Sequence, residues 1–134
     1  MPHLTIEYSP GLEKRADVAA LCQSVHAAMK ACGVFPLAGI RVRAFRADVC
    51  IVADDLPDND FAAMTLCVGA GRDTETLQRA GQAIFDAART VLAGPLSTPH
   101  FALSLDIRVN DPALSWKDTP IHARLTAQPE KDAS

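Results

Sequence analysis

Pro2 directly follows Met1, so removal of the methionine would leave proline as the amino terminus, with a secondary amine as its base. An unperturbed terminal amine titrates near ~8, and burial or neighbouring cations lower that value, so such a group can be neutral at neutral pH. A base poised there suits proton transfer. A Met-Pro start alone has no chemical meaning; what else the chain offers decides the matter. Arg41 and Arg43 stand two apart in a stretch with strand character, so their side chains leave one face of a sheet. Two guanidinium groups side by side attract an anion, although a solvent-facing pair on an edge strand has the same pattern. Arg46 has the opposite parity and is expected on the surface. Gly69-Ala70-Gly71-Arg72 lies between a predicted strand and a predicted helix. There, backbone N–H groups and the positive end of a helix dipole gather beside an arginine, which suits a carboxylate or phosphate. A plain turn is the other reading of this motif. It lacks the GxGxxG pattern and the P-loop lysine, which argues against nucleotide binding.

Other chemistries find little support. His3, His26, His100 and His122 lack metal-ligand spacing, and Ser97 and Ser104 lie in no nucleophile-elbow motif. The acidic residues fall mostly in predicted turns and on helix surfaces. Cys22, Cys32, Cys50 and Cys67 are too widely spaced for a CxxC pair and are expected as free, buried thiols. A net charge of −3 with no basic cluster speaks against a nucleic-acid partner. Nine of the thirteen cations are nevertheless arginines, the side chain best shaped to grip carboxylates. No segment approaches the ~18 uninterrupted apolar residues of a membrane helix, and the start of the chain has no signal-peptide character, so a cytoplasmic location is expected.

These groups must be positioned by one domain, since 134 residues suffice for a single core. Leu4 and Ile6 alternate with Thr5 and Glu7, which predicts a strand over residues 3–8, ended by Ser9-Pro10-Gly11. From about Lys14, the positions Val18, Leu21, Cys22, Val25, Ala28, Met29 and Cys32 have helical spacing, and Gly33 stops the run. Residues 40–52 predict a second strand and 54–58 a turn. Residues 61–68 predict a third strand, 74–92 a second helix stopped by Gly94-Pro95, and 101–109 a fourth strand. The pattern is a duplicated β-α-β unit of the α+β class. Right-handed crossovers place both helices on one face of a four-stranded mixed sheet and leave the other face for a partner subunit. Residues 114–125 follow no clear period and are expected to pack on a neighbour, completing a domain over 1–125; residues 126–134 are expected to fray.

Met-Pro-His at the start, Phe35-Pro36-Leu37-Ala38-Gly39-Ile40-Arg41 with Arg43, and Met64-Thr65-Leu66 followed by Gly69-Ala70-Gly71-Arg72 resemble the 5-carboxymethyl-2-hydroxymuconate isomerase family of the tautomerase superfamily. The likeness continues through Ala102-Leu103-Ser104 and Pro112 to His122, and is weakest over residues 44–63. This chain has Ala63 where relatives carry a histidine before the Met-Thr-Leu run, so no role attaches to that position. The resemblance implies a homotrimer, no cofactor, and catalysis by the amine of Pro2. The implied reaction moves a proton from the 2-hydroxyl of a dienol to carbon, giving the 2-oxo tautomer, within homoprotocatechuate (4-hydroxyphenylacetate) catabolism. The substrate would be a small polycarboxylate held by Arg41, Arg43 and Arg72, with Arg41 and Arg72 also stabilising oxyanion charge. Another tautomerase activity on a small unsaturated acid, and a non-catalytic trimeric carboxylate-binding protein, are the alternatives.

Overall fold

The computed structural model describes residues 1–127. Four strands, β1 (His3–Tyr8), β2 (Arg41–Arg46), β3 (Asp60–Gly69) and β4 (Phe101–Asn110), form one sheet in the order β2-β1-β3-β4. β1 and β2 are parallel, as are β3 and β4, and β1 pairs antiparallel with β3 at the centre. Helix α1 (Val18–Ala31) connects the first parallel pair and α2 (Thr74–Val91) the second, so two β-α-β units meet across β1 and β3 as expected. The short helices α3 (Ala93–Leu96) and α4 (Pro120–Thr126) complete the described chain.

Strand alternation decides the layering. Leu4, Ile6 and Tyr8 on β1 and Ala62, Met64, Leu66 and Val68 on β3 are buried beneath the helices with Leu21, Val25, Met29, Ala80, Ile84 and Ala88. Their neighbours His3, Thr5 and Glu7 on β1, Arg41, Arg43 and Phe45 on β2, and Thr65 and Cys67 on β3 leave the opposite face, which no helix among the described residues covers. α1 and α2 pack together over the buried face, each with an aspartate at its N-cap. Asp17 accepts from the Ala20 N–H and Asp73 from the Thr76 N–H.

The second strand is shorter than the 40–52 expected. β1 ends at Tyr8, paired with Arg46, and a single further bond from the Ala47 N–H to the Tyr8 carbonyl closes the ladder. Beyond it no strand remains to pair with, so Val49 and Ile51, 88% and 78% exposed, lie in a loop in which Ala53 and Asp55 take positive φ. β propensity without a partner strand does not make a strand. The first helix starts at Val18 rather than near Lys14, because residues Pro10–Lys14 form a 3₁₀ turn and Asp17 supplies the cap. Gly94-Pro95 does not end helical structure outright; both residues belong to α3. The cysteines are free, but Cys50 is exposed and Cys22, Cys32 and Cys67 are half-buried. The stretch without a clear period contains helix α4, which ends at Thr126; the rest of the expected frayed tail, 128–134, lies outside the described residues. Among the described residues no helix is long and apolar enough to cross a membrane.

Candidate active site

Pro2 precedes β1 and its ring is fully buried. Its carbonyl accepts the Arg41 N–H at 3.1 Å, which fixes the chain start against β2. The ring also depends on Gly39: a Cβ there would stand 2.9 Å from the Pro2 Cδ, closer than carbon atoms tolerate. Glycine in the Leu37–Gly39 turn is thus the residue that lets the Pro2 ring lie against the backbone.

The same turn orients Arg41. Its Nη1 donates to the carbonyls of Ala38 and Gly39, both at 3.2 Å, and lies 3.7 Å from the Met1 sulfur. Arg72 is held in a comparable way from the other β-α-β unit. Its Nε donates to the Val34 carbonyl and its Nη1 to the Gly69 carbonyl, each at 3.3 Å, while the guanidinium carbon lies 5.1 Å from the centroid of the Phe35 ring. Gly71, with φ of +116°, provides the turn between β3 and α2 that sends Arg72 back toward Val34. Protein carbonyls occupy one side of each guanidinium. Among the described residues neither arginine has a carboxylate partner.

The Met1 amine lies where these pieces converge. It is 3.6 Å from the point at which a side chain on Gly69 would begin, and burial, then the charges of Lys117, Arg72 and Arg41, hold its pKa below the ordinary 8.0. His3, paired with Arg41 on one side and Cys67 on the other, has a buried Nε2 with no hydrogen-bond partner. Burial, Arg41 and Arg43 all push its pKa down, which keeps the imidazole neutral at neutral pH.

Of the residues singled out from sequence, Pro2, Arg41 and Arg72 are brought together. Arg43 lies two residues farther along β2, opposite Thr5, and bears on His3 rather than on the terminal amine. Arg46 is exposed and paired with Glu13 at 3.4 Å. The helix-dipole site expected at Gly69-Ala70-Gly71-Arg72 is already filled: the Asp73 carboxylate caps α2 through the Thr76 N–H at 2.8 Å, and hydrogen bonding from Thr76, its side chain first and then its N–H, lowers the Asp73 pKa. Arg72 works beside the turn through its side chain instead. The sequence alone gives Lys117, Phe35 and Gly39 no individual role. Phe35 and Gly39 lie inside the recognised Phe-Pro-Leu-Ala-Gly-Ile-Arg motif without an individual role, and Lys117 stands in an aperiodic stretch with nothing to mark it. Among the described residues no three His, Cys, Asp or Glu side chains are grouped so as to hold a metal ion.

The model of the 5-carboxymethyl-2-hydroxymuconate isomerase family matches residues 2–125, which include every residue of this cluster except Met1. The chain belongs to that family. It is 37% identical over 123 residues to a 5-carboxymethyl-2-hydroxymuconate Delta-isomerase of Escherichia coli, spanning 92% of this chain and 98% of that one. A crystal structure of a 5-carboxymethyl-2-hydroxymuconate isomerase from Deinococcus radiodurans R1 superposes with a TM-score of 0.85 at 34% identity, covering 92% of each chain. A fused 4-OT trimer shares the fold at 15% identity and a TM-score of 0.66, covering 92% of this chain and 98% of that one. Membership makes this protein an isomerase, and its duplicated β-α-β subunit is the tautomerase fold.

Proposed function

We propose that the protein ketonises 5-carboxymethyl-2-hydroxymuconate, or a closely similar unsaturated polycarboxylate, with the amine of Pro2 as the proton carrier. The observation that carries this reading is that Arg41, whose Nη1 lies 3.7 Å from the Met1 sulfur, and Arg72, whose Nη1 donates to the carbonyl of Gly69 beside the Met1 amine, meet at the start of the chain with no carboxylate partner among the described residues. A half-buried pair of guanidinium groups anchored by backbone carbonyls is preorganised for carboxylates and for developing oxyanion charge.

The chemistry requires that Met1 be removed, because within the Met1-Pro2 peptide the proline nitrogen is an amide without basicity. Loss of Met1 does two things at once. It exposes a secondary amine, and it clears from Arg41 the methionine side chain that now touches it. The same burial and cations that lower the Met1 amine's pKa act on an amine one residue farther along, so the Pro2 nitrogen is available as a neutral base. It takes the proton of the dienol 2-hydroxyl, the electron pair moves through the conjugated system, and the proton returns to carbon. One O–H bond breaks, one C–H bond forms, and the product is the 2-oxo tautomer. Arg41 and Arg72 hold carboxylates and stabilise the oxygen charge, and Arg43 steers the anion toward the site or meets a neighbouring subunit. The uncovered sheet face, with half-buried Thr5 and Thr65 and the exposed Phe45, fits a homotrimer in which subunits cover one another's sheets.

Intact mass of the protein from its native cytoplasm, followed by a spectrophotometric ketonisation assay, tests the reading. Mature protein lacking Met1 and accelerating ketonisation well above buffer is expected. Active enzyme that retains Met1 overturns the Pro2 mechanism, and no acceleration with this substrate overturns the assignment of the reaction.

A further inference from the structure

The fold engages the chain on both sides of the Met1-Pro2 peptide bond. Before the bond, Met1 is half-buried: its amine and its Cα lie 3.6 Å and 3.5 Å from where side chains on Gly69 and Gly39 would begin, and its sulfur lies 3.7 Å from Arg41 Nη1. After the bond, the Pro2 ring is fully buried against Gly39, and the Pro2 carbonyl accepts the Arg41 N–H. The residues behind it leave no slack. His3 pairs with Arg41 on one side and Cys67 on the other, and the fully buried Leu4 with Val42 and Leu66, because β1 is an inner strand of the sheet. All of these partners lie later in the chain, so none of the contacts exists when the start of the chain is made.

We propose that the Met1-Pro2 bond is a processing site open only before β1 is paired, so that folding closes it and a chain that folds with Met1 in place keeps it. What the processed state is for rests on the ketonisation reading above; the timing does not. The step is hydrolysis by an aminopeptidase specific for methionine: water adds to the Met1 carbonyl carbon, the bond to the Pro2 nitrogen breaks, methionine leaves as the free amino acid, and the nitrogen takes a proton to become a secondary amine. Such an enzyme takes the first residue of its substrate into a pocket of its own and reads the free amine, so Met1 and the residues behind it must stand clear of the protein. Here that means lifting the Pro2 ring from Gly39, breaking the bond to Arg41, and peeling His3 and Leu4 from two strands at once. Opening of that extent inside a sheet is a sub-global event, populated far less than the fraying of a free terminus. During synthesis the bond is accessible. Cys67, the last of these partners, is added about 60 residues after His3, which is about 3–12 s at about 5–20 residues per second. A chain that misses this interval keeps an amide at the Pro2 nitrogen and the Met1 side chain on Arg41, and on the ketonisation reading it is lost to catalysis rather than slow to mature.

The test is a washout experiment on the full chain. Cells make the protein from light amino acids with their methionine aminopeptidase inhibited; the inhibitor is then removed, heavy isotopes are supplied, and intact mass follows Met1 in the two populations. Light chains, folded before the washout, are expected to keep Met1 for hours, while heavy chains lose it. Folded protein that retains Met1 is then given to the purified aminopeptidase beside a peptide of residues 1–8, and is expected to be cleaved at least about tenfold more slowly. Light chains that lose Met1 after the washout, or folded protein cleaved within about tenfold of the peptide rate, overturn the proposal. Gly39→Ala, whose added Cβ meets the Pro2 Cδ, is expected to be cleaved severalfold faster than wild type while folded, and an unchanged rate overturns the part given to the seating of Pro2 on Gly39. Ketonisation is read separately on the same samples. Folded protein that retains Met1 and still ketonises the substrate overturns the Pro2 mechanism, and processed protein that does not ketonise it overturns the reaction assignment, in both cases with the processing result decided by mass alone.

Discussion

The guanidinium of Arg72 lies over the ring of Phe35, 5.1 Å from its centroid, and donates to the carbonyl of the adjacent Val34. Two consecutive residues of the loop between α1 and β2 thus orient an arginine that belongs to the other β-α-β unit. A cation over an aromatic face is worth about 0.5–2 kcal/mol, more where water is excluded, and Phe35 is only 8% exposed. Phe35→Leu keeps an apolar side chain in the core and removes the π face. The expected result is a KM increase of about twofold to thirtyfold, corresponding to that energy. In an Arg72→Lys background the same substitution should have little further effect on KM, since the shared partner has already been altered. Steady-state kinetics of the four proteins measure this coupling, and additive effects would separate Phe35 from Arg72.

Gly39 controls the proton carrier itself. An added methyl would stand 2.9 Å from the Pro2 Cδ, and that atom belongs to a ring tied to the backbone at both ends, so it cannot swing aside as a flexible side chain would. Gly39→Ala therefore displaces Pro2 relative to Arg41, whose N–H bonds to the Pro2 carbonyl. A misplacement of under 1 Å at a catalytic group costs on the order of 10²-fold. We expect kcat to fall about tenfold to a hundredfold while the protein remains folded by circular dichroism. Unchanged kcat would mean that the start of the chain has room the structure does not give it.

The pH dependence has a definite sign. Only the neutral amine accepts the enol proton, so kcat/KM falls as pH drops through the amine pKa. Burial, then Lys117, Arg72 and Arg41, hold the Met1 amine below its ordinary 8.0, and on the proposal that the Pro2 amine meets the same surroundings its inflection is expected below that value. Removing one of these cations relieves that repulsion, and Lys117→Met is expected to move the acidic limb of the profile to higher pH. Stopped-flow or steady-state kcat/KM between pH 5 and pH 9 reads both points. An inflection at or above 8.0 in the wild type, or a shift to lower pH in the variant, contradicts the electrostatic arrangement.

Much of this architecture is written in local pattern. The alternation at Leu4 and Ile6 and the helical spacing of Leu21, Val25 and Met29 predict both the elements and the face each one buries, since a single periodicity sets both. Residues 47–52 read equally well as strand, yet whether they pair depends on where β1 ends, a non-local fact. The site divides along the same line. Pro2, Arg41 and Arg72 sit in recognisable local motifs, whereas Lys117 reaches the terminal amine only through the path of the chain after β4. The Gly-Ala-Gly-Arg turn misleads for a local reason: the residue after Arg72 is an aspartate, and as N-cap it takes the helix end that an anion would use.

The Ser9, Arg15 and Asp60 cluster separates stability from activity. Asp60 is 4% exposed, accepts from the Ser9 hydroxyl at 2.7 Å and pairs with Arg15 Nε at 3.3 Å, while the Ser9 oxygen accepts the Phe61 N–H at 2.9 Å. These bonds fasten the loop after β1 to the first residues of β3. Asp60→Ala leaves a buried hydroxyl and a guanidinium without their acceptor, at a cost of about 2–4 kcal/mol. Asp60→Asn keeps an oxygen for Ser9 but forfeits the ion pair; because the Arg15 side chain is 31% exposed and can rehydrate, the expected cost is about half as much. Asp60 opens β3, whereas His3, next to Pro2, pairs with Cys67 near its other end, seven residues and about 20 Å along the strand. Urea denaturation should therefore show lowered midpoints in the order wild type, Asp60→Asn, Asp60→Ala, with kcat per folded molecule unchanged to within about twofold. A drop in kcat that tracks the loss of stability would couple this cluster to the site through the sheet.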